Sequence, residues 1–159
     1  GINMSLEQSA SSRISVSGAY THVISGKKIV MSIGKRKTAI ARAIIRAGNG
    51  RYRVNGIPIE IWPIEIARLK MMEPLMLLSD KLRNVIDIDV SVEGGGVLAQ
   101  AYAVRNAIAR GVIMYFNIPI LKEIFNEFDR TMVSGDPRRT ESEKWMRYSA
   151  RRFRQKSYR

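Results

Sequence analysis

The run Ile86-Asp87-Ile88-Asp89-Val90-Ser91-Val92-Glu93 alternates apolar and polar residues over its whole length. A period of two requires a strand with one face buried and the other wet. Three glycines, Gly94 to Gly96, then break the strand, and Val97, Ala101, Val104, Ile108 and Val112 recur at helical spacing. The many alanines of that segment imply close packing. A chain containing this block has to build a sheet and lay a helix tightly against it.

The rest of the chain supplies partners for that strand and helix. Residues 29–33 and 38–48 read as two strands around the basic interruption Gly34-Lys35-Arg36-Lys37. In the second, Ala39, Ala41, Ala43 and Ile45 fall on one face and Ile40, Arg42, Ile44 and Arg46 on the other. Residues 51–62 read as a further strand with Asn55-Gly56 as its turn signal. Pro63 can open a helix that Pro74 ends or kinks. Asn117 can cap a last helix with Pro119 in its first turn and a stripe of Leu121, Ile124, Phe125 and Phe128. Strands come early and helices later, so the expected class is α+β, a mixed sheet with helices on one face. Its span is 29–133. Residues 1–28 are Ser-rich without a sustained period and read as a flexible leader, with 134–159 an extended basic tail.

Composition narrows the function. The 159 residues carry 27 Lys and Arg against 14 Asp and Glu, a net charge of +13, and such imbalance points to a polyanionic partner. There is no Cys, which removes disulfides, thiol nucleophiles and thiolate metal sites. His22 is the only His and falls in the leader, so a Ser-His-Asp triad or a two-His zinc site has no basis. No window approaches about 18 uninterrupted apolar residues, so no membrane partner is expected. Neither metal nor cofactor is implied.

Several groups invite a chemical reading. Gly94-Gly95-Gly96 before a helix could cradle phosphate, or could serve only as a tight strand-to-helix connection; the spacing fits neither G-x-G-x-x-G nor the Walker pattern. Asp87 and Asp89 share a strand face and could hold a metal or act as an acid/base pair, although alternation alone puts polar residues there. Lys35, Arg36 and Lys37 stand at a strand junction, where they would project together toward a nucleic-acid backbone, with Arg42, Arg46, Arg51 and Arg53 extending the patch. The sharpest signal is the end of the chain. From Lys144 onward there are seven Lys or Arg and no acid, interleaved with Tyr148, Phe153 and Tyr158. Cations for phosphate and rings for exposed bases suit irregular RNA. Sixteen extended residues would reach at most roughly 50–55 Å, beyond the width of a small domain.

Four ordered blocks resemble one family, the universal small-ribosomal-subunit protein nine: "GKRKTAIARAIIRAGNGRYRVNG", "EPLML", "VEGGGVLAQAYAVRNAIARG" and "DPRRTESEKWMRYSARRFRQKSYR". The closing "QKSYR" looks like the archaeal and eukaryotic branch. The resemblance implies a β-α-β domain akin to the second domain of small-subunit protein five, docked on ribosomal RNA in the head of the small subunit. It implies cytoplasmic work in the ribosome, head proteins as neighbours, no homo-oligomer, no cofactor and no enzymatic activity. Carried over residue by residue, Lys35, Arg36, Lys37 and Arg42 would anchor the domain on ribosomal RNA. Arg138, Arg139, Lys144, Arg147, Arg151, Arg152 and Arg154 would line a path through that RNA. Lys156, Ser157, Tyr158 and Arg159 would approach the peptidyl-site tRNA. The rival class is an RNA-processing enzyme, because the same type of fold also serves the protein subunit of ribonuclease P; that is fold-level analogy and would need a clustered acidic metal site or a true phosphate loop. A general nucleic-acid compaction protein fits less well, since the core is long and apolar.

Overall fold

The computed structural model describes residues 16–134. Six strands, β1 (Ala19–Ile24), β2 (Lys27–Arg36), β3 (Ala39–Ala47), β4 (Tyr52–Val54), β5 (Ile57–Pro58) and β6 (Ile86–Glu93), form one sheet in the order β1-β2-β3-β6-β4-β5. A 3-10 turn at Ile59–Ile61 precedes α1 (Glu65–Met76) and α2 (Asp80–Arg83); α3 (Val97–Phe116), α4 (Pro119–Phe128) and α5 (Thr131–Ser134) follow β6. Neighbouring strands run antiparallel except β4, which runs parallel to β6. The molecule is therefore α+β with a mixed sheet.

The alternation of β6 is realised as read: Ile86, Ile88, Val90 and Val92 are buried, and in β3 so are Ala39, Ala41, Ala43 and Ile45. These two rows lie side by side in register, Ala43 opposite Val90 and Ile45 opposite Ile88. Helix α3 covers them, and α1 packs on α3. Small residues allow the contact. A Cβ on Gly34 of β2 would stand 2.1 Å from the Ala103 carbonyl oxygen and 2.5 Å from the Ala107 nitrogen, so helix and strand touch through backbone. Beside it the Ser32 hydroxyl donates to the Ala107 carbonyl at 2.6 Å, which satisfies a buried oxygen. The opposite face of the sheet carries Met31, Ile33, Ile40, Arg42, Ile44 and Arg46 half-buried or exposed.

The structure departs from the sequence reading at several edges. Ala19–Ile24 is a strand, paired with β2 from Ala19 opposite Ser32 to Ile24 opposite Lys27. The read leader therefore includes a folded hairpin, whose turn Ser25-Gly26 has positive φ at both residues. No alternation announced β1, because only Ala19 in it is buried and its stability comes from ladder pairing. His22 consequently sits on a strand, exposed. Residues 51–62 form two short strands, not one, with Asn55 (φ 51°) and Gly56 (φ 81°) turning between them. The Asn55 side chain also accepts from the Val92 amide at 2.9 Å and donates to the Val92 carbonyl at 3.2 Å, so it extends the ladder of β4 on β6. Helix α1 runs through Pro74 to Met76 and begins two residues after Pro63. Pro74 is tolerated there because it lies in the last turn, where one lost N–H interrupts little. Asn117 is the left-handed C-cap of α3 (φ 54°), not the N-cap of α4; Ile118 holds that place and Pro119 opens the helix. In the α4 stripe Leu121 and Phe125 are buried while Phe128 is exposed. Val97, read into the α3 stripe, is exposed as well.

Candidate nucleic-acid interface

The basic junction is a two-residue hairpin, with Arg36 paired to Ala39 and Lys37-Thr38 as the turn. Strand alternation separates its three cations, which do not project together. Lys35 shares the open face of the sheet with Arg42, since their cross-strand neighbours Ile40 and Ile33 lie on that face. Arg36 falls on the opposite side, its guanidinium 4.7 Å from the centre of the Tyr102 ring of α3. Lys37 is exposed at the tip with φ 54°. Held by a cation–π contact, Arg36 has a fixed direction, which lowers the cost of a further contact with phosphate.

The larger arginine patch is partly neutralised by β6. Arg46 donates to Asp89 at 2.8 Å, and Arg42 stands 3.7 Å from Glu93. Both pairs are solvent-exposed, so a polyanion can compete for the arginines at small cost. Arg51 and Arg53 flank an open groove of about 280 Å³ that Tyr52 and Glu60 also line. The Tyr52 hydroxyl donates to the Arg83 carbonyl, and burial, offset in part by Arg83 and reinforced by Asp87 and Glu60, pushes its pKa up to about 12.

Asp87 is a structural group. Its Oδ1 accepts from the backbone amides of Asn49 (2.9 Å), Gly50 (3.2 Å) and Arg51 (3.0 Å), closing the turn between β3 and β4. Burial pushes its carboxyl up, but those amides and the Arg51 charge together outweigh it and hold the pKa below the usual carboxylate value. Oδ1 of Asp87 is thus committed to the turn, and Asp89 is paired with Arg46. Among the described residues no group of three His, Cys, Asp or Glu could hold a metal ion. No helix among them is long and apolar enough to cross a membrane.

The glycine triplet has a packing reason. A Cβ on Gly94 would stand 2.4 Å from the Thr38 carbonyl oxygen, and its φ is 81°. The connection thus presses against the basic hairpin, with the Gln100 side chain donating to the Gly94 carbonyl at 3.0 Å.

Sequence reasoning missed two arginines of α3. Arg105 is 2% exposed and lies 2.7 Å from Glu73 of α1 and 3.0 Å from Asp129 at the end of α4. Arg110 donates through Nε to the Val133 carbonyl (2.6 Å) and through a terminal nitrogen to the Ile33 carbonyl (2.8 Å). In an Ala-rich helix read as packing, they show up only as cations placed among buried neighbours. Arg138, Arg139, Lys144, Arg147, Arg151, Arg152 and Arg154, with Lys156, Ser157, Tyr158 and Arg159, lie outside the described residues.

Comparison with known proteins agrees with this basic, non-catalytic domain. A curated relative from Aeropyrum pernix, "Small ribosomal subunit protein uS9", is 55% identical over 148 residues, covering 84% of this chain and 98% of its own length. Proteins of the same name from Desulfurococcus amylolyticus (56% identical, 83% of this chain and 94% of their own) and Saccharolobus solfataricus (53%, 84% and 97%) are similar over the same extent. The model of the family described as Ribosomal protein S9/S16 matches residues 34–159, which takes in the basic hairpin, the glycine triplet with its helix and the whole tail, and the chain belongs to that family.

Proposed function

We propose that this chain is a structural constituent of the small ribosomal subunit, working in the cytoplasm within the ribosome. The observation that carries the reading is the family match, which runs from Gly34 to the last residue and so covers β3 to β6, the helices and the basic tail alike. Membership of a ribosomal protein family makes its work structural, with no reaction to catalyse. The domain binds ribosomal RNA in the head of the subunit, and its fold is akin to the second domain of small-subunit protein five. Lys35, Arg36, Lys37 and Arg42 supply phosphate contacts from the hairpin and the open sheet face. The exposed ion pairs of Arg42 and Arg46 suit this role because they open when RNA arrives.

The tail has the composition for the second half of the reading. After Ser134 nine Lys or Arg stand against Asp136, Glu141 and Glu143. Arg138, Arg139, Lys144, Arg147, Arg151, Arg152 and Arg154 neutralise ribosomal RNA along the path, and Lys156 to Arg159 reach the peptidyl-site tRNA. Neighbouring head proteins meet exposed apolar side chains such as Ile61, Ile66 and Leu69. The chain acts as a single copy.

Chemical footprinting of assembled subunits with bound tRNA, comparing the full chain with one ending at Gln155, tests the assignment. Protection of head RNA should survive the truncation while the peptidyl-site contact is lost. Unchanged protection everywhere would make the last four residues a solvated end.

A further inference from the structure

We propose that Arg110, supported by Arg105, is a positioning residue for RNA binding: it fixes the point and direction at which the C-terminal tail leaves the domain. The inference rests on the tail reading above, which it deepens. Both arginines lie on α3, and both hold the short corner 129–134 from which the tail departs.

The geometry is specific. Arg110 spans two carbonyls that are distant in sequence, Ile33 in β2 and Val133 in α5. The planar guanidinium presents separate N–H groups to the two carbonyls in a rigid fork, whereas a lysine ammonium is a compact donor on a flexible stem and does not hold them in that fixed geometry. One turn and a half earlier on α3, Arg105 grips the Asp129 carboxylate at 3.0 Å. Asp129 in turn uses its other oxygen to accept from the Thr131 amide (3.0 Å) and hydroxyl (2.7 Å), which starts α5. Met132 is fully buried beside them. Four residues of α5 would not form a stable helix alone. Their shape is held by these two arginines together with the burial of Met132 and Val133.

The consequence falls on the first bases of the tail. Arg138 and Arg139 follow Ser134 by four and five residues, so they lie within at most about 13–18 Å of the clamp. A fixed root confines them to a small volume before RNA is met, which raises their effective concentration at the first phosphates and lowers the ordering cost of binding. A loose root would leave the charge unchanged and scatter its position.

Because the protein has no Cys, a single introduced thiol is a unique attachment point for a tethered hydroxyl-radical source. Full-length chains carrying Ser142→Cys in the tail or Thr38→Cys at the basic hairpin would be assembled into small subunits, with and without Arg110→Lys, and RNA cleavage mapped. The expected result is that Arg110→Lys lowers cleavage at the tail-probe sites about tenfold, the worth of one charge-assisted hydrogen bond, or spreads it to new sites. The hairpin probe should cut as before. An unchanged tail pattern together with a lowered melting temperature would overturn the proposal and leave Arg110 merely structural. A tail probe silent even with Arg110 in place would sink the tail reading and the clamp with it, a distinguishable failure. Should Arg110→Lys not fold, two glycines inserted after Ser134 separate tail from clamp without touching the domain; an identical cleavage pattern from that chain would equally overturn the idea.

Discussion

Gly34 is the residue on which the layering of the domain depends. It sits in a strand, where its own conformation needs no glycine, yet a methyl group there would meet the backbone of Ala103 and Ala107. Gly34→Ala should therefore lower stability by about 3 kcal/mol or more, measured by urea unfolding, because α3 would have to lift off β2. An effect below about 1 kcal/mol would mean that the contact yields easily. Asp87 and Asp129 carry the acid sensitivity of the fold. Burial raises each carboxyl, but three amides at Asp87, and Thr131 with Arg105 at Asp129, outweigh it and hold both below the usual carboxylate value. A depressed folded pKa contributes stability that is complete above the unfolded pKa and disappears as the pH falls through the folded one. The urea midpoint should thus fall as the pH is lowered below about 4, and Asp87→Asn or Asp129→Asn should flatten that acid limb. An acid limb as steep in both variants as in the parent chain would remove these carboxylates from the account.

Among elements, three helices meet at Arg105. It ties α1 through Glu73 and the end of α4 through Asp129, and Tyr102 stacks beside it 4.9 Å from the guanidinium centre. Arg105→Met would leave both acids without their buried partner and should cost about 2–4 kcal/mol; combining it with Glu73→Gln should cost less than the sum of the two changes. Strict additivity in that double-mutant cycle would show that the pair does not interact. How legible each element was in the sequence follows from where its stability originates. Strands β3 and β6 and helix α3 are stabilised by burying one face, so their periods were plain. The β1 hairpin is held by backbone pairing at the sheet edge with nearly every side chain exposed, and backbone bonds leave no mark on a residue pattern. Asn117 was read as starting a helix because asparagine suits both ends; its left-handed φ ends α3 instead.

At the scale of the whole molecule, charge and fold are distributed differently. Nine of the 27 Lys and Arg follow Ser134, against three of the 14 acids, whereas acids on β6 and elsewhere offset many bases of the domain. Salt should therefore act through the tail out of proportion to its length: each tail phosphate contact removed by neutralising a base should lower the salt slope of RNA affinity by about 0.7, if the RNA there is single-stranded in character. A slope indifferent to tail neutralisation would locate the electrostatics in the domain. The basic surplus, the absence of cysteine, the α+β class, the buried faces of β3 and β6 and the four family blocks were all determined by the order of residues alone, because each depends on composition or on a local period. Tertiary structure decided which neighbours face together. It sent Lys35 and Arg36 to opposite sides of one strand, paired Arg42 and Arg46 with Glu93 and Asp89, turned Asp87 into a clamp on a loop 36 residues or more away, and drew Arg105 and Arg110 onto the corner where the tail departs. These are contacts between residues far apart in the chain, and a one-dimensional pattern holds no term for the distance between them.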